Sequence, residues 1–140
     1  MARNILYDYA MSHLGKPYLW GGDDFTGYDC SGLCIEILKS DGRLKPSTDM
    51  TAQRLYEHFK KTGSPAQMEP KLGALAFYGE TTKAIKHVGM VLDKTKMIEA
   101  GGGRRTTKTT ADAAKHNAFV RIRPIHSRSD FVAMLDTEKE

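Results

Sequence analysis

The order of two hydrophobic patterns along the chain most restricts what it can fold into. Over the first 62 residues apolar side chains recur at helical spacing, whereas after Pro70 they occur in short β-prone runs separated by polar turns. A single change from helices to strands, without alternation, is typical of an α+β domain with segregated halves. We therefore expect N-terminal helices packed against a C-terminal antiparallel β-sheet.

The predicted elements follow from these patterns. Three helices are expected: one over residues 5–14, one that buries Leu33, Cys34, Ile37 and Leu38 and ends near Gly42, and a capped one from a Ser/Thr/Asp start to Gly63. Four strands are expected in the runs ALAFYG, HVGMVLD, KMIEAG and AFVRIRPI. The final run, SRSDFVAMLDTEKE, predicts a closing helix with a frayed, charged end.

Length and charge set broad limits on the molecule. A chain of 140 residues without internal repeats or a long apolar segment predicts a single domain, residues 1–140, that is not inserted in a membrane and is by default a monomer. The N-terminal run MARNILYDYAMSHLG lacks the apolar core of a secretory signal, so we expect synthesis in the cytoplasm. The net charge of +4 comes from basic residues dispersed among acids, which disfavours nucleic-acid binding.

Two cysteines stand four residues apart in the run GYDCSGLC, where a glycine-rich loop gives way to a helix. A disulfide within one helical turn is geometrically awkward, and the chain lacks the further ligands of a zinc site, so we expect no metal and no cofactor. Cys34 shares the apolar face of its helix and is predicted to be a core residue. Cys30 lies at the helix start, where unpaired N–H groups and the helix dipole favour a nucleophilic thiolate.

A nucleophilic cysteine usually needs a base, and the base needs a group that orients it. His87 opens one predicted strand and Glu99 lies in the next. If the hairpin loop is Asp93-Lys94-Thr95, Gly89 pairs with Glu99, and Glu99 shares a sheet face with His87, diagonally adjacent. A two-residue loop would place Glu99 on the opposite face. We expect the opposite Gly89 to leave room for the imidazole and the carboxylate to meet.

At this point the sequence resembles a known family. The ordered motifs GKPYLWGGDDFTGYDCSGL, HVGMVL and MIEAGGG are similar to those of the NlpC-type cell-wall peptidases, a branch of the papain-like cysteine peptidases. The resemblance covers about residues 14–103 and implies a papain-like fold. It also implies a peptidase that hydrolyses peptidoglycan stem peptides, with the bond between γ-D-glutamate and a diamino acid as the expected target.

The resemblance assigns roles to individual residues. It implies that Cys30 is the nucleophile and that His87 is the general base and then acid. Tyr18 is implied to line the site and help hold the oxyanion, and Asp29 and Ser31 to form part of the subsite for the stem peptide. The third catalytic position of this family is usually His, Asn or Gln, whereas here it is Glu99. A carboxylate can orient the imidazole as an amide does, and it favours the thiolate–imidazolium pair more strongly.

The biological setting is expected from weaker signs. A small peptidase without a leader would fit a bacteriophage endolysin that reaches the cell wall after release. An antibacterial effector injected into another cell, with a cognate immunity protein as partner, and a phage tail-associated hydrolase fit as well. An acyl or amide transferase with the same Cys–His pair is the alternative reaction, and a non-catalytic binding module is the alternative class.

The basic run GGGRRTTKTT, residues 101–110, is a separate feature. It lacks the spacing of a nucleotide phosphate loop. Its cations, Arg104, Arg105 and Lys108, would either rim the substrate groove or belong to a mobile, solvated loop.

Overall fold

In a computed structural model of the chain, which describes residues 4–24, 26–62 and 69–138, the predicted change from helices to strands is present. Helices and strands are bounded as follows: α1 Ile5–Met11, β1 Asp23–Asp24, β2 Gly27–Tyr28, α2 Cys30–Ser40, α3 Ala52–Lys61, β3 Leu75–Gly79, β4 Ile85–Val91, β5 Lys96–Gly101, α4 Thr110–His116, β6 Phe119–Pro124 and β7 Phe131–Leu135. The last five strands form one antiparallel sheet in the order β6-β5-β4-β3-β7. The predicted α+β architecture is confirmed.

The sheet is covered on both faces. One face packs against the helices, with Phe77, Val88 and Ile98 in the same buried cluster as Leu33 and Ile37 of α2. The other face carries a smaller buried cluster of Ala76, Tyr78, Val91, Met97 and their neighbours, closed by Ile125 from a short 3₁₀ turn. Burial on both faces explains why the strands read as nearly continuous apolar runs.

Helix α2 begins and ends through local contacts that the sequence supplies. The Asp29 carboxylate caps its start by accepting a hydrogen bond from the Gly32 N–H at 2.7 Å. At its end Gly42 takes a left-handed conformation with φ +74°, and the Arg43 N–H donates to the Leu38 carbonyl at 2.9 Å. This closure is the usual glycine-terminated helix end. Cys30 is therefore the first residue of α2, as predicted.

Helix α3 also has a side-chain cap. The Thr51 hydroxyl accepts a hydrogen bond from the Arg54 N–H, within the predicted Ser/Thr/Asp start. The helix ends at Lys61, and the predicted stop at Gly63 lies outside the described residues. Across the described ranges no helix has the length and apolar character needed to cross a membrane.

The predicted closing helix over residues 127–140 is wrong. Residues Phe131–Leu135 form β7, which pairs with β3 at the edge of the sheet, with Ala133 opposite Phe77. Ala133, Met134 and Leu135 are buried one after another, because the two faces of the sheet are both covered at this edge. A short, continuous apolar run has no period that separates a strand from a helix, and pairing with β3 decides the outcome.

Helix α4 is an element that the sequence analysis did not assign. It follows the basic run and begins with a capping box, in which the Thr109 hydroxyl bonds the Asp112 N–H and the Asp112 carboxylate bonds the Thr109 N–H. It ends at Asn117, the one non-glycine residue of the described ranges with a positive φ. The spacing of Thr109 and Asp112 was the available signal.

Candidate active site

Cys30 lies in a groove between the loop that precedes α2 and the start of α3. The groove has a volume of about 510 Å³. Its lining residues come mostly from these two segments and from the start of β4: Tyr18, Trp20, Gly21, Gly22, Asp23, Asp29, Cys30, Ser31, Gly32, Asp49, Met50, Thr51, Ala52, Gln53, Arg54, Ile85 and Lys86. Cys30 is partly accessible and is not in a disulfide. The sulfur is therefore open to a ligand in the groove.

Cys34, one turn further along α2, has a different environment. It is a free thiol with no exposed surface and belongs to the main core cluster. Burial raises its pKa well above the ordinary value, and the nearby charges of Cys30, Asp29 and Glu99 add to the shift. The prediction that Cys34 is a core residue is confirmed, and the nucleophilic role of Cys30 stays a prediction.

Asp29 holds the loop against the helix start. One carboxylate oxygen accepts hydrogen bonds from the Gly32 N–H and the Ser31 hydroxyl, and the other accepts from the Gly21 N–H at 3.1 Å. Burial raises the pKa of Asp29, and these three hydrogen bonds oppose that rise. The Asp29 carboxylate and the Ser31 hydroxyl are thus partners within the chain. Both residues also line the groove, and their expected contacts with a stem peptide stay a prediction.

A glycine at position 32 is required by the close approach of the chain's own loop. A Cβ at this position would overlap the Gly22 carbonyl oxygen and crowd the Asp29 carboxylate. The absence of a side chain therefore allows the chain's own loop, at Gly22, to approach the first turn of α2.

His87 connects Cys30 to Glu99. Its imidazole is buried, and Nε2 lies 2.8 Å from the Glu99 Oε1. Cys30 is the other side chain that interacts with the ring. Burial opposes protonation of the ring, but the hydrogen bonds and negative charges of Cys30 and Glu99 outweigh it and raise the pKa of His87 to about 9. The imidazolium form of His87 is therefore favoured beside the Glu99 carboxylate.

The strand register agrees with the predicted three-residue loop. Met90 pairs with Ile98 and Val91 with Met97, and the Leu92 N–H donates to the Lys96 carbonyl at 2.8 Å. The same register, one pair further, sets Gly89 opposite Glu99. The parity argument that placed His87 and Glu99 within side-chain reach therefore holds in the structure.

The expected role of Gly89 is wrong, because another side chain fills its space. A Cβ at Gly89 would meet the Met97 sulfur at 2.5 Å. Room for the Glu99 carboxylate is left instead by Gly101, where a Cβ would lie 2.5 Å from Glu99 Oε2 and 2.9 Å from Arg121 Nη2. The signal for this was the placement of Glu99 and Gly101 two residues apart on the same strand, since such residues share a face.

Two arginines that the sequence analysis did not single out complete the surroundings of Glu99. Arg121 stands directly opposite Glu99 on β6, and its Nε donates to Glu99 Oε2 at 3.2 Å. Arg123 Nη1 lies 3.8 Å from the same oxygen. Burial would raise the pKa of Glu99, but His87 and Arg121 outweigh it and hold that pKa below its ordinary value. The carboxylate is therefore ionised although only 1% of its side chain is exposed.

Tyr18 forms one wall of the groove that Cys30 also lines. Its ring packs over Gly103 so closely that any Cβ there would overlap it. Burial raises the pKa of Tyr18, and negative charge at Cys30 and Asp29 raises it further, so the hydroxyl keeps its proton. A neutral phenol in this position is a hydrogen-bond donor.

The basic run 101–110 is anchored to the rim of the groove. The Trp20 N–H donates to the Thr107 carbonyl at 2.7 Å, and the buried Thr107 hydroxyl lies 2.7 Å from His116 Nδ1. The Arg105 guanidinium stands 6.0 Å from the centre of the Trp20 ring, a cation–π contact. These contacts fix the segment beside an exposed Trp20, and substrate contacts by Arg104, Arg105 and Lys108 stay a prediction.

The described residues contain no group of three or more His, Cys, Asp or Glu side chains placed to hold a metal ion.

Comparison with known proteins assigns the family. A sequence model described as the NlpC/P60 family matches residues 15–123, which include the groove, Cys30, His87 and Glu99. The chain belongs to the NlpC/P60 family. The resemblance noted in the sequence is thereby confirmed.

Curated relatives from Bacillus subtilis are named as peptidases. The bifunctional muramidase/DL-endopeptidase CwlT is 36% identical over 94 residues, a match that covers 65% of this chain and 27% of CwlT. A gamma-D-glutamyl-L-lysine dipeptidyl-peptidase is 38% identical over 90 residues, covering 62% of this chain and 28% of that protein. The NlpC/P60 chain thus spans about a quarter of the length of these relatives.

A solved structure shows the same fold at similar size. RipD from Mycobacterium tuberculosis, described as a non-catalytic NlpC/p60 domain protein adapted to peptidoglycan binding, superimposes with a TM-score of 0.67 at 19% identity. The match covers 96% of this chain and 98% of RipD. At that identity the likeness shows the fold alone.

Proposed function

We propose that this NlpC/P60 protein is a cysteine peptidase that hydrolyses peptide bonds in peptidoglycan stem peptides. One observation carries the proposal: a partly accessible thiol at a helix start interacts with a buried imidazole that is itself hydrogen-bonded to a buried carboxylate. Nucleophile, base and orienting group in this order are the requirement for covalent acyl transfer. The named activities of the relatives direct the proposal to cell-wall peptides.

The first half of the reaction uses the charged form of the pair. The Cys30 thiolate attacks the scissile carbonyl carbon and forms a tetrahedral intermediate with a negative oxygen. The Gly32 N–H is not available to that oxygen because it already donates to Asp29. We assign two other donors to the oxygen: the backbone N–H of Cys30, which has no intrahelical acceptor, and the Tyr18 hydroxyl. The His87 imidazolium then protonates the leaving nitrogen, the C–N bond breaks, and a thioester remains on Cys30.

The second half reverses the proton movement. Neutral His87 accepts a proton from water as the water oxygen attacks the thioester carbonyl. The C–S bond then breaks, the acyl product leaves as a carboxylic acid, and the thiolate–imidazolium pair is restored. In both halves Glu99 keeps the ring oriented and stabilises its charged form.

We further propose that the bond cut lies between γ-D-glutamate and the diamino acid. This choice rests on the family resemblance and on the relative named for γ-D-glutamyl-L-lysine. DL-endopeptidase is also the activity named for CwlT.

The test uses purified, defined muropeptides with wild type, Cys30→Ala and the matched control Cys34→Ala, with products identified by mass spectrometry. We expect wild type and Cys34→Ala to cleave and Cys30→Ala to be inactive while retaining its circular-dichroism spectrum. Cleavage by Cys30→Ala would refute the nucleophile. Products that carry an amine or lipid acceptor in place of a new carboxyl group would assign the protein to acyl transfer.

A non-catalytic binding role, as described for RipD, is the second outcome that the experiment separates. Binding of intact muropeptides by wild type without any cleavage would support it and contradict the peptidase.

The proposed place of action is the bacterial cell wall, after release as an endolysin or delivery as an effector. Expression in a bacterial host with and without an added periplasmic export signal tests this placement. We expect lysis only with export, and only when Cys30 is intact. Lysis from the cytoplasm without export would contradict it.

A further inference from the structure

We propose that Arg121 is a positioning residue: its guanidinium fixes the Glu99 carboxylate so that the opposite oxygen holds the His87 ring toward Cys30. The test of this inference by enzyme kinetics rests on the proposed function. The test by NMR spectroscopy needs only the geometry of the site.

The two oxygens of Glu99 are divided between two partners. Oε1 lies 2.8 Å from His87 Nε2, and Oε2 lies 3.2 Å from Arg121 Nε. A carboxylate held at only one oxygen can rotate about its terminal torsion, which is soft. A donor on each oxygen removes that freedom, so the position of the imidazole depends on the guanidinium behind the carboxylate.

The register of the sheet places Arg121 beside Glu99. Glu99 and Arg121 are direct cross-strand partners on β5 and β6, so their side chains leave the same face at the shortest separation that a sheet offers. Gly101 leaves the space in which the carboxylate and the guanidinium meet. Arg121 does not line the groove, so its effect on substrate is exerted through Glu99.

Charge balance supplies a second argument. The Glu99 carboxylate is ionised although only 1% of its side chain is exposed. An uncompensated buried charge is strongly unfavourable. His87 pairs with one oxygen of this carboxylate and Arg121, whose side chain is 32% exposed, donates to the other.

Other charged and titratable groups face the site from each neighbouring element. Arg123 on β6 lies 3.8 Å from Glu99 Oε2. Electrostatic interaction with Glu99 or His87 also reaches the site from α2, β3 and the segment after the 3₁₀ turn, through Cys34, Tyr78, Arg128 and Asp130. Arg128 is itself committed to Asp130 through two hydrogen bonds. Arg121 is the arginine that hydrogen-bonds the carboxylate.

The experiment compares Arg121→Gln, Arg121→Lys, Arg123→Gln and the exposed control Lys115→Gln. The first readout is kcat and KM on a muropeptide that wild type cleaves. For Arg121→Gln we expect kcat to fall about 10- to 100-fold, the effect of losing one hydrogen bond to a charged group, with little change in KM. Arg123→Gln, with a longer and partly exposed pair, should lose at most about fivefold. Arg121→Lys should recover part of the loss, and Lys115→Gln should match wild type.

The second readout needs no substrate. The proton on His87 Nε2, hydrogen-bonded to a carboxylate, should give a far-downfield NMR resonance, assigned by its absence in His87→Ala. We expect it to move upfield or broaden in Arg121→Gln and to persist in Lys115→Gln. If Arg121→Gln does not fold, Arg121→Lys takes its place. We expect the resonance to move upfield or broaden in Arg121→Lys as well, because a lysine lacks the fixed geometry of the guanidinium.

The outcomes distinguish failure of the positioning role of Arg121 from failure of the proposed peptidase function. An unchanged resonance and unchanged kcat in a folded Arg121→Gln would overturn the role of Arg121. Equal losses in Arg121→Gln and Arg123→Gln would also overturn it, because they would reflect net charge. If wild type cleaves nothing, the proposed function fails, and the resonance alone tests the positioning.

Discussion

At the scale of single residues, Glu99 places a carboxylate where the sequence resemblance leads one to expect an imidazole or an amide. Glu99 is ionised, buried and hydrogen-bonded to His87, and it raises the pKa of His87 together with Cys30. A neutral side chain at this position could orient the ring but could not stabilise its positive charge. The substitution therefore bears on the pH range over which the imidazolium exists.

Glu99→Gln tests this difference. The His87 pKa of about 9 lies above the ordinary value because of negative charge at Cys30 and Glu99. Removing one of those charges lowers that pKa, so the imidazolium is lost at a lower pH. We expect the basic limb of the kcat/KM profile to shift to lower pH, by about one unit for each 1.4 kcal/mol of lost interaction.

The pH profile of kcat/KM for wild type and Glu99→Gln is the measurement. Its control is Glu138→Gln, which changes an exposed carboxylate far along the sequence from the site. A basic limb that stays in place in Glu99→Gln would contradict the electrostatic role of the carboxylate.

At the scale of elements, the start of α2 carries both structure and chemistry. Asp29 caps the helix, accepts a hydrogen bond from the Gly21 N–H and precedes Cys30, the proposed nucleophile, so we expect its loss to affect folding and function together. A role in binding substrate can be recognised only if its role as a cap is removed separately.

Asp29→Asn and Asp29→Ala separate the two roles. Asparagine keeps an oxygen that can cap the helix, whereas alanine does not. Asparagine has a single oxygen, so it can keep the cap but loses the hydrogen bond from the Gly21 N–H. We expect Asp29→Asn to lose about 1 kcal/mol in the free energy of unfolding, and Asp29→Ala to lose about 2–3 kcal/mol. Denaturant unfolding measures this. If the carboxylate also binds substrate, KM rises in both variants; a normal KM in Asp29→Asn would leave capping as its role.

At the scale of the whole molecule, halves that are separate in sequence share one core. The main buried cluster combines side chains of α1, α2 and α3 with side chains of β3, β4 and β5, so neither half buries its apolar surface alone. Such a shared core predicts a single cooperative unfolding transition. Cys34 lies within it, whereas Cys30 borders the groove.

Alkylation of the two thiols by iodoacetamide reports on this arrangement. We expect Cys30 to react rapidly in the native protein and Cys34 to react only as the molecule unfolds globally, since its exposure requires opening of the core. Peptide mass spectrometry across a urea series measures both rates, with Cys30→Ala as the control for Cys34. Reaction of Cys34 below the unfolding transition would indicate that the helical half opens separately.

The sequence alone determined those features that depend on near neighbours along the chain. Helical spacing, side-chain caps and Gly42 placed α2 and its first residue, Cys30. The relation of His87 to Glu99 could also be counted, because one short hairpin joins their strands and its loop length sets the register. The family motifs then supplied roles for these residues that spacing alone does not give.

Only the tertiary structure decided what depends on pairing between distant segments. A long loop and α4 connect β5 to β6, so the number of residues between these strands does not set their register. The sequence therefore could not place Arg121 opposite Glu99. The run Phe131–Leu135 became a strand because the edge of β3 was open to it. The space expected at Gly89 is likewise filled by Met97, and it is Gly101 that leaves room for the Glu99 carboxylate. Register and packing across the sheet are long-range properties, and a local pattern does not contain them.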